Sequence, residues 1–410
     1  MTSQPNGLKR ALGPVLLTLY GVGVTVGAGI YVLVGEVAGI AGLAAPMAFL
    51  LSGVIAGLSA LSYAELAVLF PKAGGEAAYV NAAFARHWLT TLVGLLVVVT
   101  GITSAATVLL GFVGYLNELI AVPKAVALIC VVAGLAAVTF WGVAESLTIV
   151  AFTTVLEVGG LVLVIGGGLP SLAALPAALP DMLPGFEASI WLAVVSSSVL
   201  AFFAFIGFED IVNMAEEVRQ PSRTLPLAIV LTLIVSVLLY MLLAVTAVLT
   251  VPPNVLAQSD APLALVFARS GGNPELLSGI AALAVVNGAL IQIIMASRLI
   301  YGMARLGRLP AVFGHVNAIT RTPDYAIICI SAIVLICALT LPITDLAAYA
   351  SLAVLLVFTI VNVALLKLRG TVPRDRPRFS VPLLIPVAGA LASFALFAFG
   401  LGREVGLFGY

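Results

Sequence analysis

The chain is 410 residues long, 62% hydrophobic and only 9% charged, with zero formal net charge and a mean hydropathy of +1.23. So apolar a balance excludes a water-soluble domain and describes a polytopic membrane protein, and the absence of any basic tail or charge block gives no sign of a nucleic-acid partner. Cys130, Cys329 and Cys337 sit inside apolar runs without metal-ligand spacing, so they read as packing residues and not as a disulfide framework.

Residues 1–11 form a short amino-terminal segment, expected in the cytoplasm. Lys9 and Arg10 precede an apolar run too long for a secretory core and without a small-residue cleavage site, so the first span is expected to be retained. Windows of about 20 apolar residues place spans near 12–34, 41–66, 88–116, 122–140, 145–168, 188–216, 224–250, 275–304, 324–341, 345–369 and 380–401, eleven in all. Span one carries Gly21, Gly23, Gly27 and Gly29, with Gly27-Ala28-Gly29 near its middle. A helix broken there, at membrane depth, is tolerated only where its freed backbone lines a cavity or faces protein. The connection 71–84 is expected to lie on the membrane surface.

Span five holds Glu157 near its middle. Three roles are open to it: proton carrier, structural acid bonded to a neighbouring carbonyl, or sodium ligand. Span six carries Gly207, Glu209 and Asp210 midway along an apolar stretch, where a carboxylate costs roughly 2.5–3.5 kcal/mol and so should face a cavity or partner. Gly207 would let this helix open; Glu209 would hold the break or gate it. Asp210, Glu216 and Glu217 are expected to be solvated or paired with Arg219 and Arg223 nearer the span end. The longest loop, 252–273, is either an external lid or an inert connection, with a short helix expected over 261–270. In span eight, Asn287 and Gln292 either line a path or bond between helices.

With the amino terminus inside, fifteen basic residues fall on the cytoplasmic side and only Lys124, Arg269 and Arg403 outside, which satisfies the positive-inside rule. Spans one and six each open a group of five, and interrupted spans at matching places suggest an inverted repeat with its site at the midplane. The division is then 12–168 for the first five helices, 187–369 for the second, and 370–410 for a linker and accessory eleventh helix. At Gly27-Ala28-Gly29 an outer half-helix would offer N–H groups and a positive dipole end to a carboxylate. Carbonyls near Thr25 and over Ala204-Phe205-Ile206 would accept from an ammonium. One site with both belongs to a zwitterion, the head of an α-amino acid.

Four stretches, 21–35 (GVGVTVGAGIYVLVG), 61–84 (LSYAELAVLFPKAGGEAAYVNAAF), 202–226 (FFAFIGFEDIVNMAEEVRQPSRTLP) and 298–323 (RLIYGMARLGRLPAVFGHVNAITRTP), resemble the amino acid, polyamine and organocation permease superfamily in order and over nearly the whole chain. The resemblance implies five plus five inverted helices, discontinuous helices 1 and 6, amino acid substrates and alternating access. It implies that Thr25, Gly27, Ala28, Gly29, Phe203, Ala204 and Ile206 lie on the substrate, with Phe205 and Phe208 as gate or packing residues beside it. Some proton-coupled members place a lysine near the position of Glu157, beside the sodium site of others; here the sign is reversed. Members usually carry twelve spans, whereas eleven are read here.

The side chains projected near the site, Val26, Ile30, Phe203 and Ile206, are apolar. A neutral amino acid taken up with protons across a plasma membrane, bacterial by expectation, is therefore favoured. Cationic amino acids, polyamines or exchange remain open if Glu157 or Glu209 reaches the cavity, and a receptor without flux is the non-transport alternative. No cofactor is expected beyond a coupling proton or sodium ion, and the oligomeric state is not given. No nucleophile elbow, metalloprotease helix or phosphate loop appears, and His87 and His315 lie far apart, so no enzyme is expected.

Overall fold

The computed structural model describes residues 12–26, 29–71, 75–141, 147–370 and 379–406, leaving aside the side chains of 147–150. Regular structure among them is helical, as lipid requires of backbone that must satisfy its own hydrogen bonds. In chain order the helices are α1 (Pro14–Val26), α2 (Gly29–Ala41), α3 (Ala45–Leu69), α4 (Gly75–Phe84), α5 (His87–Asn117), α6 (Lys124–Trp141), α7 (Leu147–Gly167), α8 (Leu175–Met182) and α9 (Ala188–Phe203). After a 3₁₀ segment at Phe208–Met214 follow α10 (Pro221–Thr250), α11 (Pro253–Leu256), α12 (Pro262–Arg269), α13 (Pro274–Arg305), α14 (Asp324–Thr340), α15 (Ile343–Arg369) and α16 (Leu384–Glu404).

The windows 12–34 and 188–216 each cover two segments, α1 with α2 and α9 with the 3₁₀ segment, and the other nine each fall mainly on one helix. Among the described residues, eight helical segments are long and apolar enough to cross a membrane, or nine if the pair 151–167 and 169–182, which meet at 53°, counts as one span. α1 and α14 are apolar but shorter. The protein is thus an all-helical polytopic membrane protein. The expected short helix in the long loop is α12, and α4 occupies the connection before α5.

α1 packs on α7 and α10, α2 on α9 and α11, α5 on α13 and α15, and α3 on α10, α9 and α16. Close approach explains two glycines that the sequence suggests as helix breakers. Gly21 and Gly23 lie inside α1, where a Cβ on Gly21 would come within 2.4 Å of Ile211 and Thr232, and one on Gly23 within 2.0 Å of the Thr154 hydroxyl. They let α1 settle against its neighbours, the usual role of small residues between membrane helices. The backbone ahead of α1 is tied to the other half of the chain: the Leu12 amide donates to the Glu217 carbonyl (3.0 Å) and the Arg219 amide donates to the Leu12 carbonyl (2.8 Å).

Two groups of polar side chains inside the bundle pair across helices. Asn362 of α15 accepts from the Ser62 hydroxyl (2.6 Å) and donates to Ser59 (3.0 Å) and to the Phe358 carbonyl (2.8 Å). Arg369, at the end of α15, grips Glu65 of α3 through two nitrogens and donates to the Val381 carbonyl, while the Val381 amide donates to Glu65 at 2.9 Å. Both arrangements bind α3, α15 and the approach to α16.

Candidate functional site

The α-helical ladder of span six stops at Phe203. The amides of Ala204, Phe205 and Ile206 bond back three residues, to Ala201, Phe202 and Phe203, and the chain reverses its local twist at Gly207, whose φ of +124° only glycine adopts without strain. It continues as the 3₁₀ segment Phe208–Met214. The Glu209 side chain accepts the Gly207 amide at 2.9 Å, so this carboxylate satisfies a donor that the break would otherwise orphan. α1 ends at Val26 and α2 starts at Gly29; Gly27 and Ala28, both expected on the site, lie outside the described residues.

These segments meet. A Cβ on Gly29 would stand 2.5 Å from the Ala204 Cα, and one on Gly207 would stand 2.8 Å from the Val24 carbonyl oxygen. Across the junction the Tyr240 hydroxyl of α10 lies 2.9 Å from the Thr25 carbonyl and 2.8 Å from the Ala204 carbonyl, a single donor shared by both. Two helix carboxyl ends, those of α1 and α9, and one amino end, that of α2, therefore converge on one spot. Their partial charges are negative and positive respectively.

A small cavity of about 30 Å³ sits at that spot. Thr25, Gly29, Phe203 and Ile206 form one side, while Ser104 and Val108 of α5 with Gly288 and Gln292 of α13 close the other. The hydroxyls of Thr25 and Ser104 are buried without a hydrogen-bond partner among the described residues. Such orphans in a closed apolar site are costly and await a polar occupant. The volume suits one or two waters and no amino acid, but Ile206 and Gln292 also line a second cavity of about 620 Å³, so the two spaces are neighbours that share these residues.

The larger cavity opens the route toward the face that carries α4 and the α13–α14 connection. Glu76, Glu209, Asp210 and Glu217 line it, with Arg298 opposite in sign. Asp210 departs from expectation: it is buried (3% exposed) beside Glu76 and Asn213, because the 3₁₀ winding of 208–214 turns it inward with Glu209. On the other face the way is closed. The Tyr115 hydroxyl donates to the Tyr31 carbonyl and the Tyr31 hydroxyl to the Glu157 carbonyl, each at 2.6 Å, tying α5, α2 and α7 together. Above them, the 252–273 loop presses its backbone onto α2 and α5, where a Cβ on Gly35 would meet the Leu256 carbonyl at 2.6 Å and one on Gly114 the Asp260 carbonyl at 2.1 Å.

Not every expected residue lines the cavity. Val26 and Ile30 are buried in the packing around it. Phe205 turns away, stacked edge-on against Tyr240 with ring centroids 5.0 Å apart and close to Gly53, and Gly207 contributes its backbone to the contact with Val24. Glu157 is fully buried on α7, outside the cavity lining; among the described residues neither carboxylate oxygen meets a hydrogen-bond partner of good geometry, and the Asn287 amide is its polar neighbour. Among the described residues no group of three or more acidic, histidine or cysteine side chains is placed to hold a metal ion.

Residues 12–406 match the model of the amino acid permease family. The chain belongs to the amino acid permease family. It is therefore a member of the amino acid, polyamine and organocation superfamily that its motifs resemble. The chain is 33% identical over 401 residues to cationic amino acid transporter 4, vacuolar, of Arabidopsis thaliana, covering 91% of this chain but 65% of that protein. It is 32% identical to an uncharacterized transporter of Mycobacterium tuberculosis, covering 96% and 87% of the two chains. To the branched-chain amino acid permease BcaP of Bacillus subtilis it is 28% identical over 425 residues, covering 97% and 89%.

Ser104, Gly288 and Tyr240 were not singled out by sequence. A lone serine on a helix with five threonines, a glycine among many and a tyrosine in an apolar run carry no local signature. Gln292 did stand out, as an amide in an otherwise apolar span.

Proposed function

We propose that this permease is a secondary active transporter that moves neutral amino acids by alternating access, with the substrate held between spans one and six and the uptake driven by protons. The observation carrying this reading is that Thr25 and Ser104, whose buried hydroxyls have no partner among the described residues, line one cavity at which helix ends of both polarities converge. The α2 amino end suits the substrate carboxylate. Carbonyls over 204–206 suit its ammonium, and Phe203, Ile206 and Val108 give the side chain an apolar surround. In this reading the core is five plus five inverted helices within eleven spans, set in a bacterial plasma membrane with the amino terminus cytoplasmic. The 620 Å³ cavity is then the inward vestibule, and the tyrosine ties with the 252–273 lid form the closed outer gate.

Glu157 is the proposed proton carrier. It is buried on the helix that packs against α1, without a bonded donor of good geometry among the described residues, so a change in its protonation would bear directly on how α7 holds α1. Uptake of a labelled amino acid mixture into proteoliposomes, with proton and sodium gradients imposed separately, tests both parts. Accumulation should follow the proton gradient, and Glu157→Gln should abolish it while sparing exchange. Accumulation that follows sodium alone, or unchanged pH dependence in the variant, removes Glu157 from coupling; binding without vesicle filling makes the protein a receptor.

A cationic cargo is the second reading. It is favoured by the carboxylates of Glu76, Glu209 and Asp210 along the vestibule and by the Arabidopsis relative's name. Competition decides between them: leucine or alanine should displace the labelled substrate on the first reading, and arginine or lysine on the second.

A further inference from the structure

Away from the central site, a cavity of about 480 Å³ opens where α2, α9, α15 and α16 come together, and it shares no lining residue with the two cavities along the proposed path. Its walls are graded. Val199, Leu200 and Ala348 make an apolar floor, and Asp345, Arg403 and Glu404 stand around the mouth. The gradation follows from helix geometry: Asp345 lies in the first turn of α15 and Arg403 and Glu404 in the last turn of α16, while Ala348 and Gly400 sit about one turn, ~5 Å, deeper. The three charges act on one another, Asp345 and Arg403 both on Glu404, and the Thr344 hydroxyl leans on Asp345 at 3.4 Å. Two carboxylates and one guanidinium at a membrane helix end, above an apolar floor, complement a headgroup that carries an ammonium and a phosphate on an acyl chain.

We propose that this cavity binds a phospholipid with a zwitterionic amine headgroup. Asp345 and Glu404 receive the ammonium, Arg403 the phosphate as a charge-assisted pair, and the floor takes the first part of one chain. Leu391, Phe394 and Leu401 of α16 are exposed on the same helix, so the site lies beside a lipid-facing surface. A lipid held here would brace α9, the helix leading into the span-six break, against α15 and α16.

Native mass spectrometry of the detergent-purified full chain, titrated with phosphatidylethanolamine or phosphatidylglycerol, tests the assignment. One phosphatidylethanolamine should be retained in preference to phosphatidylglycerol, which has the phosphate but no ammonium. Asp345→Asn with Glu404→Gln should weaken phosphatidylethanolamine by about tenfold or more and leave phosphatidylglycerol as tightly bound or tighter, its phosphate no longer facing two carboxylates, while Arg403→Gln should weaken both. Ala348→Leu keeps every charge and fills the floor; it should expel the lipid while the melting temperature without lipid stays near that of the parent. Equal retention of the two lipids, or retention that ignores both the double variant and Ala348→Leu, overturns the proposal. So does a second mole of labelled leucine bound per chain that Ala348→Leu removes and phosphatidylethanolamine does not displace, which would assign the cavity to a free amino acid.

Discussion

Gly29 and Ala204 touch backbone to backbone: a methyl group at residue 29 would stand 2.5 Å from the Ala204 Cα and 3.1 Å from its amide nitrogen. Neither partner is a flexible side-chain end, so nothing there can yield cheaply. Gly29→Ala should push the start of α2 away from the end of α9, at an overpacking cost of about 1–3 kcal/mol, and lower transport at least ~10-fold. Gly279→Ala on α13, where a Cβ meets nothing within 4 Å, is the matched control and should leave both melting temperature and uptake close to the parent's. Equal effects from the two substitutions would show that the contact with Ala204 has no special weight.

Tyr240 holds the two halves of the junction through one oxygen. Tyr240→Phe keeps the ring stacked on Phe205 and Phe49 but removes the donor shared by the carbonyls of Thr25 and Ala204. Two buried acceptors lose their partner at a cost of about 1–3 kcal/mol. The expected outcome is a lower melting temperature in detergent and a fall in maximal uptake rate. If phenylalanine supports normal stability and rate, water or another donor already serves these carbonyls.

The orphaned hydroxyls of Thr25 and Ser104 should pair when substrate enters. Ser104→Ala should raise KM about 5- to 10-fold, the worth of one net hydrogen bond, with little loss of stability, because no existing bond is broken. Concentration-dependent uptake at saturating proton gradient measures it. A variant with unchanged KM would place the substrate away from α5.

Much of the site was legible because broken backbone leaves marks in composition: Gly207 and Glu209 together in an apolar span announce both the interruption and the group that caps it. The role of Gly21 and Gly23 was not legible, since glycine for a break and glycine for contact look alike until the neighbours Ile211 and Thr154 are in place. Asp210 misleads for a related reason: its place toward the span end suggests solvent or an arginine partner, and the 3₁₀ winding sends it inward. Ser104 and Tyr240 act through who faces them across the bundle, which spacing along one helix does not encode.

Glu76, on the connecting helix α4, is buried with the Tyr63 hydroxyl donating to it at 3.3 Å. Burial raises its carboxyl above the ordinary 4.5, and bonds from its own backbone amide and from Tyr63 only partly offset this. The native state therefore keeps the proton to higher pH than the unfolded chain does. Stability from that proton is complete below the unfolded value and is lost as pH rises through the raised native one. Glu76→Gln is neutral throughout, so its melting temperature should match the parent's below pH 4.5 and exceed it increasingly toward neutral pH. Melting curves across that range check the sign; a constant difference would mean that packing, not ionisation, separates the two proteins.

Asn362 is fully buried and uses both ends of its amide, joining Ser62 and Ser59 of α3 to α15, while Ser59 approaches Ser393 of α16 at 3.3 Å and the backbone of Gly389 leaves no room for a Cβ beside Oδ1, only 2.7 Å away. The network is graded, strong at its centre and weak at Ser393. Asn362→Ala should thus cost about 1–3 kcal/mol by stranding the Ser62 hydroxyl in a dry interface and leaving Ser59 with Ser393 alone, whereas Ser393→Ala should cost less than ~0.6 kcal/mol, the average seen for a hydrogen bond between membrane helices. Because each single variant leaves Ser59 one partner and only the double leaves it none, the double variant should be more destabilised than the two losses added together. Thermal unfolding of the four proteins in one detergent gives the cycle, and strict additivity would show that α16 docks on α3 and α15 independently of Asn362.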